Sequence, residues 1–280
     1  MICFPNAKIN LGLRVLSKRE DGFHDISSYF VPVDLHDVLE VKITPGTSNK
    51  RSISYSGIKF PNQENDLILK AYDLLDNDFD LPSVSIHLHK NIPFGAGLGG
   101  GSSNAAFMLM LLNTLCNLQL NRKQLLKYTF LLGSDCSFFV FNQLSLVSGI
   151  GELVEPIVSS INNYYIVIVK PPFNCSTKEI FSQYKINKKQ RPYLLFNDNE
   201  CEWKKEFMND LESVAFSLHP ELQKIKDYLY SLGAIYAGMT GSGSSLYGLF
   251  KSSPKIDHCP FWFWQGRVLQ KNISLSQSLK

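Results

Sequence analysis

Paired cysteines, long apolar runs and central acidic residues are all missing from this chain. Its six cysteines (Cys3, Cys116, Cys136, Cys175, Cys201 and Cys259) form no C-x-x-C pair. That scatter excludes a zinc ribbon or a disulfide framework and fits reduced thiols in a cytoplasmic protein. No apolar run approaches the roughly 20 residues of a membrane span. The N-terminus has no basic region leading into an apolar core, so no signal peptide is expected, and no transit peptide is expected because a motif already begins at Pro5. Net charge is only +3, too small for a nucleic-acid binder. There is no internal repeat and no low-complexity linker. Between Leu81 and Ser134 there is no Asp or Glu at all, while Lys90, Arg122, Lys123 and Lys127 fall there. That imbalance suits an acidic small molecule.

Glycine fills the same stretch. The run Pro93-Phe94-Gly95-Ala96-Gly97-Leu98-Gly99-Gly100-Gly101-Ser102-Ser103 puts five glycines within seven residues and follows them with hydroxyls. Without a Cβ, such a loop brings backbone N–H groups against a ligand. The apolar segment from Asn104 to Leu112 reads as a buried helix. Its N-terminus adds free donors and partial positive charge, so loop and helix together predict a nucleotide-phosphate site. A Walker A loop needs Gly-Lys-Ser/Thr, and no Lys is near. Gly95, Gly97 and Gly100 match the dinucleotide spacing, but the acid needed about 20 residues on is absent.

The 280 residues suffice for one large domain or two small ones. Val84 to His89 alternates as a strand with Val84, Ile86 and Leu88 inward. His87 and His89 share its wet face and lack a third ligand, so no protein metal site is expected. Asn121 caps a second helix carrying Leu125, Leu126, Thr129 and Leu132 and stopped at Gly133. Tyr164 to Val169 reads as a buried strand ended by Pro171-Pro172. Leu222, Ile225, Leu229 and Leu232 line one helical face that stops at Gly233. The order is mixed α+β. The Ser-rich pieces near Thr47–Ser56 and Ser274–Lys280 are loop and tail candidates.

Pro93 to Ala106 resembles, at every fixed position, the phosphate loop P-x-x-x-G-L-G-(G)-(G)-S-S-x-A-A of the GHMP kinases. Pro5-Asn6-Ala7-Lys8-Ile9-Asn10-Leu11 resembles their first motif and Gly238-Met239-Thr240-Gly241-Ser242-Gly243-Ser244-Ser245 their third. Arg19-Glu20-Asp21-Gly22-Phe23-His24, Gly133-Ser134-Asp135-Cys136, Gly149-Ile150-Gly151-Glu152 and Asn209-Asp210-Leu211-Glu212 are similar to one branch of that family. That branch phosphorylates a cytidine-diphosphate-linked sugar alcohol in the non-mevalonate route to isoprenoids. The resemblance runs from about Pro5 to Phe250.

The resemblance implies two lobes with the active site between them. Residues 1–155 would form a ribosomal-protein-S5-like ATP-binding half and residues 156–280 a ferredoxin-like half, with room for the last strand to return to the first. Asp135 would orient the acceptor hydroxyl and take its proton late, since the transition state of phosphoryl transfer is loose. Lys8 would lie beside Asp135 and offset charge on the transferring group. Pro93 to Ser103 would cradle ATP. Phe23, where Tyr is common, and Phe181 would sandwich the cytosine, His24 would read its edge, and Asn10 and Asp135 would touch the sugar-alcohol hydroxyls. Thr177 falls in the same substrate site. Magnesium would arrive with ATP, with Ser102 or Ser103 as its possible protein ligand. Asn65-Asp66-Leu67 carries Asp where the family often has Asn. The partners implied are the cytidylylated acceptor and ATP, with no nucleic acid and no membrane, for a monomer or weak homodimer. A homoserine- or mevalonate-type kinase would lack Asp21-Gly22-Phe23-His24 in this form. A non-catalytic nucleotide-binding relative would have no need of Lys8, Asp135 and the loop together.

Overall fold

A computed structural model of the chain describes residues 1–45, 50–59, 66–186, 196 and 199–269. Its first strands are β1 (Ile2–Cys3), β2 (Asn6–Lys18), β3 (His24–His36), β4 (Val38–Ile43) and β5 (Arg51–Gly57). Helix α1 (Leu67–Phe79) and strand β6 (Val84–Lys90) follow, then helices α2 (Gly100–Leu115), α3 (Arg122–Leu132) and α4 (Cys136–Phe141). The hairpin β7 (Ser145–Gly149) and β8 (Leu153–Pro156) precedes β9 (Tyr165–Lys170). Helices α5 (Thr177–Gln183), α6 (Glu200–Glu206), α7 (Glu212–Leu218) and α8 (Glu221–Ser231) lead to β10 (Tyr236–Met239), β11 (Leu246–Phe250) and β12 (Trp262–Arg267).

The strands form three four-stranded sheets, ordered β1-β4-β6-β5, β2-β3-β7-β8 and β10-β11-β9-β12. In the first, β5 and β6 are parallel and joined through α1, and the inward residues Val84, Ile86 and Leu88 meet α1 and α2 in one core with Phe138 and Phe139. The third sheet is antiparallel and covers its core with Leu222, Ile225 and Leu229 of α8. A middle core joins Ile9 and Leu11 of β2 to Ile166 and Ile168 of β9, so the second and third sheets share apolar surface. The chain beyond β12 also returns to β3, where Val268 bridges Val33 and the Leu269 N–H donates to Pro32 O.

Local chemistry explains most of these elements. Asn121 caps α3 in a reciprocal box with Gln124, and Gly133 ends that helix, as the Asn-to-Gly spacing predicts. Helix α2 starts at Gly100 rather than Asn104, because Gly99 already serves as its N-cap in the left-handed region. The Ser-rich stretch before Gly57 is a correction: Arg51 to Ser56 is strand, not loop. Its Ile53 and Tyr55 alternate with serines and pack on the first core. Residues 47–49 and the Ser274–Lys280 tail lie outside the described residues. Asp66 caps α1 by accepting from the Ile68 N–H at 2.7 Å and also accepts from the Tyr55 hydroxyl. The acid at this position is thus accounted for as a helix cap, while Asn65 lies outside the described residues.

Candidate active site

Strand β2 carries Lys8 and Asn10 with both side chains buried. The Lys8 ammonium stands 3.4 Å from Asp135. It donates to Asn10 Oδ1 at 2.6 Å and to Gly97 O at 3.2 Å, and lies 4.4 Å from the centre of the Phe30 ring. Asp135 occupies the N-cap position of α4 but makes no cap hydrogen bond. Its carboxylate, about a third exposed, therefore faces the cleft instead of closing the helix. Burial pushes the neighbouring Cys136 thiol up to about 12, so it remains neutral beside the acid.

The glycine loop holds Gly95, Gly97 and Gly99 at positive φ, where side chains are strained. At Gly97 a Cβ would stand 2.2 Å from Thr240 O. This is where the third Gly/Ser segment backs the loop. The Thr240 hydroxyl donates to Gly97 O at 2.9 Å and accepts from the Asn10 N–H, and the Ser245 N–H donates to Ala96 O. Lys8 N–H in turn donates to Leu98 O. Ala96 and Leu98 are buried and anchor the loop. The N-terminus of α2 has no side-chain cap, so its first N–H groups remain available to an anion. Ser103 Oγ is buried there with no hydrogen-bond partner among the described residues.

Two buried brackets hold this assembly. Asp37 accepts from Lys90, from the Asn104 amide and from the Asn91 and Ile92 N–H groups, which fixes the junction of β6, loop and α2. Asn209 donates to Met239 O and Gly241 O, and Asp210 takes Arg14 and the Val15 N–H of β2. Asn209-Asp210 thus ties the third loop to the strand bearing Lys8. The sequence displays that motif; its partners, distant in the chain, are visible only in space.

Lys8, Asn10, Phe23, His24, Gly97, Gly99, Asp135, Thr177 and Phe181 all line one cleft of about 850 Å³. Thr177 shares a hydrogen bond with Ser242. Phe23 is 59 % exposed. The His24 ring rests on Phe181 with centroids 4.9 Å apart. Desolvation, with Lys18 adding to it, lowers the His24 pKa. Pro93 and Phe94 are not part of this cleft; they line a second cavity of about 510 Å³ with Lys170 and Trp262. Gly95 packs against Asn174. Among the described residues no group of three or more His, Cys, Asp or Glu is placed to hold a metal ion.

A Gly-rich anion cradle sharing a cleft with a lysine–carboxylate pair defines a phosphotransferase architecture. The model of the GHMP kinases N terminal domain matches residues 66–143, and that of the GHMP kinases C terminal region matches 197–258. The chain is 44 % identical over 263 residues to a 4-diphosphocytidyl-2-C-methyl-D-erythritol kinase of Bacteroides fragilis, covering 93 % of this chain and 96 % of that protein. It is 46 % identical to the protein of the same name from Bacteroides thetaiotaomicron, covering 90 % and 92 %. A crystal structure of 4-(cytidine 5'-diphospho)-2C-methyl-D-erythritol kinase superposes with a TM-score of 0.72 at 30 % identity, covering 89 % and 90 %. The mevalonate kinase of Methanococcus jannaschii, at 14 % identity and a TM-score of 0.70 over 96 % and 98 % of the two chains, shares the fold. The chain belongs to the GHMP kinase family, alongside the 4-diphosphocytidyl-2-C-methyl-D-erythritol kinases.

Proposed function

We propose that this chain transfers the γ-phosphoryl group of ATP to the 2-hydroxyl of 4-diphosphocytidyl-2-C-methyl-D-erythritol, in the non-mevalonate route to isoprenoid precursors. The observation that carries the reading is the single cleft holding the Lys8–Asp135 pair, glycines of the loop, and the His24–Phe181 ring pair. Its relatives at 40–46 % identity bear that enzyme's name.

Within the loop from Pro93 to Ser103, Gly97 to Ser103 and the α2 N-terminus receive the ATP phosphates, while Pro93 and Phe94 lead the chain into the loop from outside the cleft. Asp135 accepts a hydrogen bond from the attacking hydroxyl and takes its proton as the new P–O bond forms and ADP departs. Lys8 holds Asp135 in place and offsets charge on the γ-phosphoryl oxygens. Asn10 and Thr177 position the acceptor. Phe23 and Phe181 stack on cytosine, and His24 reads its edge. Magnesium neutralises phosphate charge when bound. The unpartnered Ser103 hydroxyl and Ser102, both on the first turns of α2, suit such a role. Residues 1–155 are read as the ATP-binding N-terminal domain and 156–280 as the C-terminal domain, with the chain after β12 returning to β3. The chain is read as a monomer or weak homodimer, and its six free thiols fit a reducing compartment such as the cytoplasm.

The test is ADP release with ATP and each acceptor in turn. Turnover with the cytidylylated sugar alcohol, and none with homoserine or mevalonate, is expected. Turnover with one of the latter alone would reassign the chain within its family.

A further inference from the structure

Two lysines in the cleft take no part in the chemistry above. Lys18 ends β2 and is the cross-strand partner of His24, so their side chains share one face of the sheet. Lys178 precedes Phe181 by three residues on α5, which puts both on one side of that helix. The contact between His24 and Phe181 joins these pairs into a band of ammonium, imidazole, phenyl and ammonium, all lining the cleft. Neither lysine has an ion-pair partner among the described residues. The two acids lining the cleft are already engaged: Asp21 accepts from Arg19 at 3.1 Å and from the Phe23 N–H at 3.0 Å, and Asp135 faces Lys8. The lowered pKa of His24, to which Lys18 contributes, agrees with an ammonium standing near the imidazole.

We propose that Lys18 and Lys178 bind the diphosphate of the cytidylyl acceptor, one ammonium approaching from β2 and the other from α5. The assignment rests on the cytidylyl reading given above. A diphosphate esterified at both ends carries one negative charge on each phosphorus, so two unpaired cations match it in number. The diphosphate also follows the base in the ligand, and the lysines flank the rings assigned to that base. Lysine suits the task because its long stem carries a strongly hydrated point charge, which meets phosphate without fixed geometry. The two residues would make the site select a nucleoside diphosphate over the bare nucleoside.

The test uses the full chain with excess ADP present to fill the glycine loop, and calorimetry with cytidine and with CDP. Wild type should bind CDP more tightly than cytidine, and the preference should weaken as salt rises. In the Lys18→Met/Lys178→Met double variant that preference should fall by about three- to tenfold per lysine removed, as for charge-assisted contacts near the surface. Cytidine affinity should hold, and the Lys18→Arg/Lys178→Arg variant should retain the preference. A methionine variant that still prefers CDP by the wild-type factor would overturn the assignment while leaving the cytidylyl reading intact. A wild-type protein that binds neither ligand would overturn that reading, and this assignment with it.

Discussion

Lys8 contacts Asn10, Asp135, Gly97 and the Phe30 ring from a position only 3 % exposed. An ammonium so confined is positioned before any ligand arrives, as electrostatic stabilisation of a transferring phosphoryl group requires. Phe23, in the same cleft, is mostly exposed. Stacking between a base and an aromatic ring is worth about 1–3 kcal/mol, so Phe23→Ala should raise KM for the cytidylyl substrate about five- to 150-fold. KM for ATP should hardly change, and Phe23→Tyr should be nearly silent; steady-state kinetics with both substrates checks this. His24 adds a pH dependence. Burial and Lys18 both disfavour its imidazolium, so the folded protein keeps His24 neutral below the ordinary value of 6.5. The acid rise of KM for the cytidylyl substrate should therefore begin below pH 6.5. Lys18→Met removes a repelling charge and should move that rise upward, as should the His24 ring resonances followed by NMR. A downward shift would contradict the assignment of Lys18 beside His24.

Glycines of the loop and α2 differ in what they do, although the sequence shows them only as a run. Gly97 has positive φ and no room for a Cβ because Thr240 O occupies the space. Gly101 has no such φ and nothing within 4 Å of the Cβ position, which tilts toward the helix N-terminus. Gly97→Ala should thus lower the melting temperature along with activity. Gly101→Val should leave melting unchanged or slightly raised, since Val is a better helix residue than Gly. It should still raise KM for ATP, by about 10- to 150-fold if charge-assisted donor contacts are lost. Melting curves and ATP kinetics on both variants separate the two roles, and unchanged ATP kinetics in Gly101→Val would place the phosphates elsewhere. Helices α2, α3 and α8 and strands β6 and β9 were legible because each depends on neighbours in the chain: a cap, a period, a glycine. Strand β5 was missed because its serines resemble a loop and its partner β6 is remote. The roles of Thr240, Asn209 and Asp210 were hidden for the same reason, since their hydrogen bonds cross as many as 230 positions. Lys18 and Lys178 carry no local signal at all.

Across the whole molecule, β2 is the element on which the account turns. It supplies Lys8 and Asn10, pairs with β3, receives the glycine loop through Leu98 O, and is tied by Asp210 to the residues leading into α7. The shared core between the second and third sheets therefore brings the glycine loop, Lys8 and the His24–Phe181 pair to one cleft, with Asp135 entering from the start of α4. If that cleft performs phosphoryl transfer, Asp135 should matter for turnover and not for holding ATP. The most direct measurement is Asp135→Asn, with ATP affinity by calorimetry and ADP release on the cytidylylated substrate. The variant should bind ATP as wild type does and lose about 10²–10⁴ in kcat, the usual worth of a positioned acid–base group. A variant retaining more than half of wild-type turnover would contradict the assignment of Asp135 and the mechanism built on it.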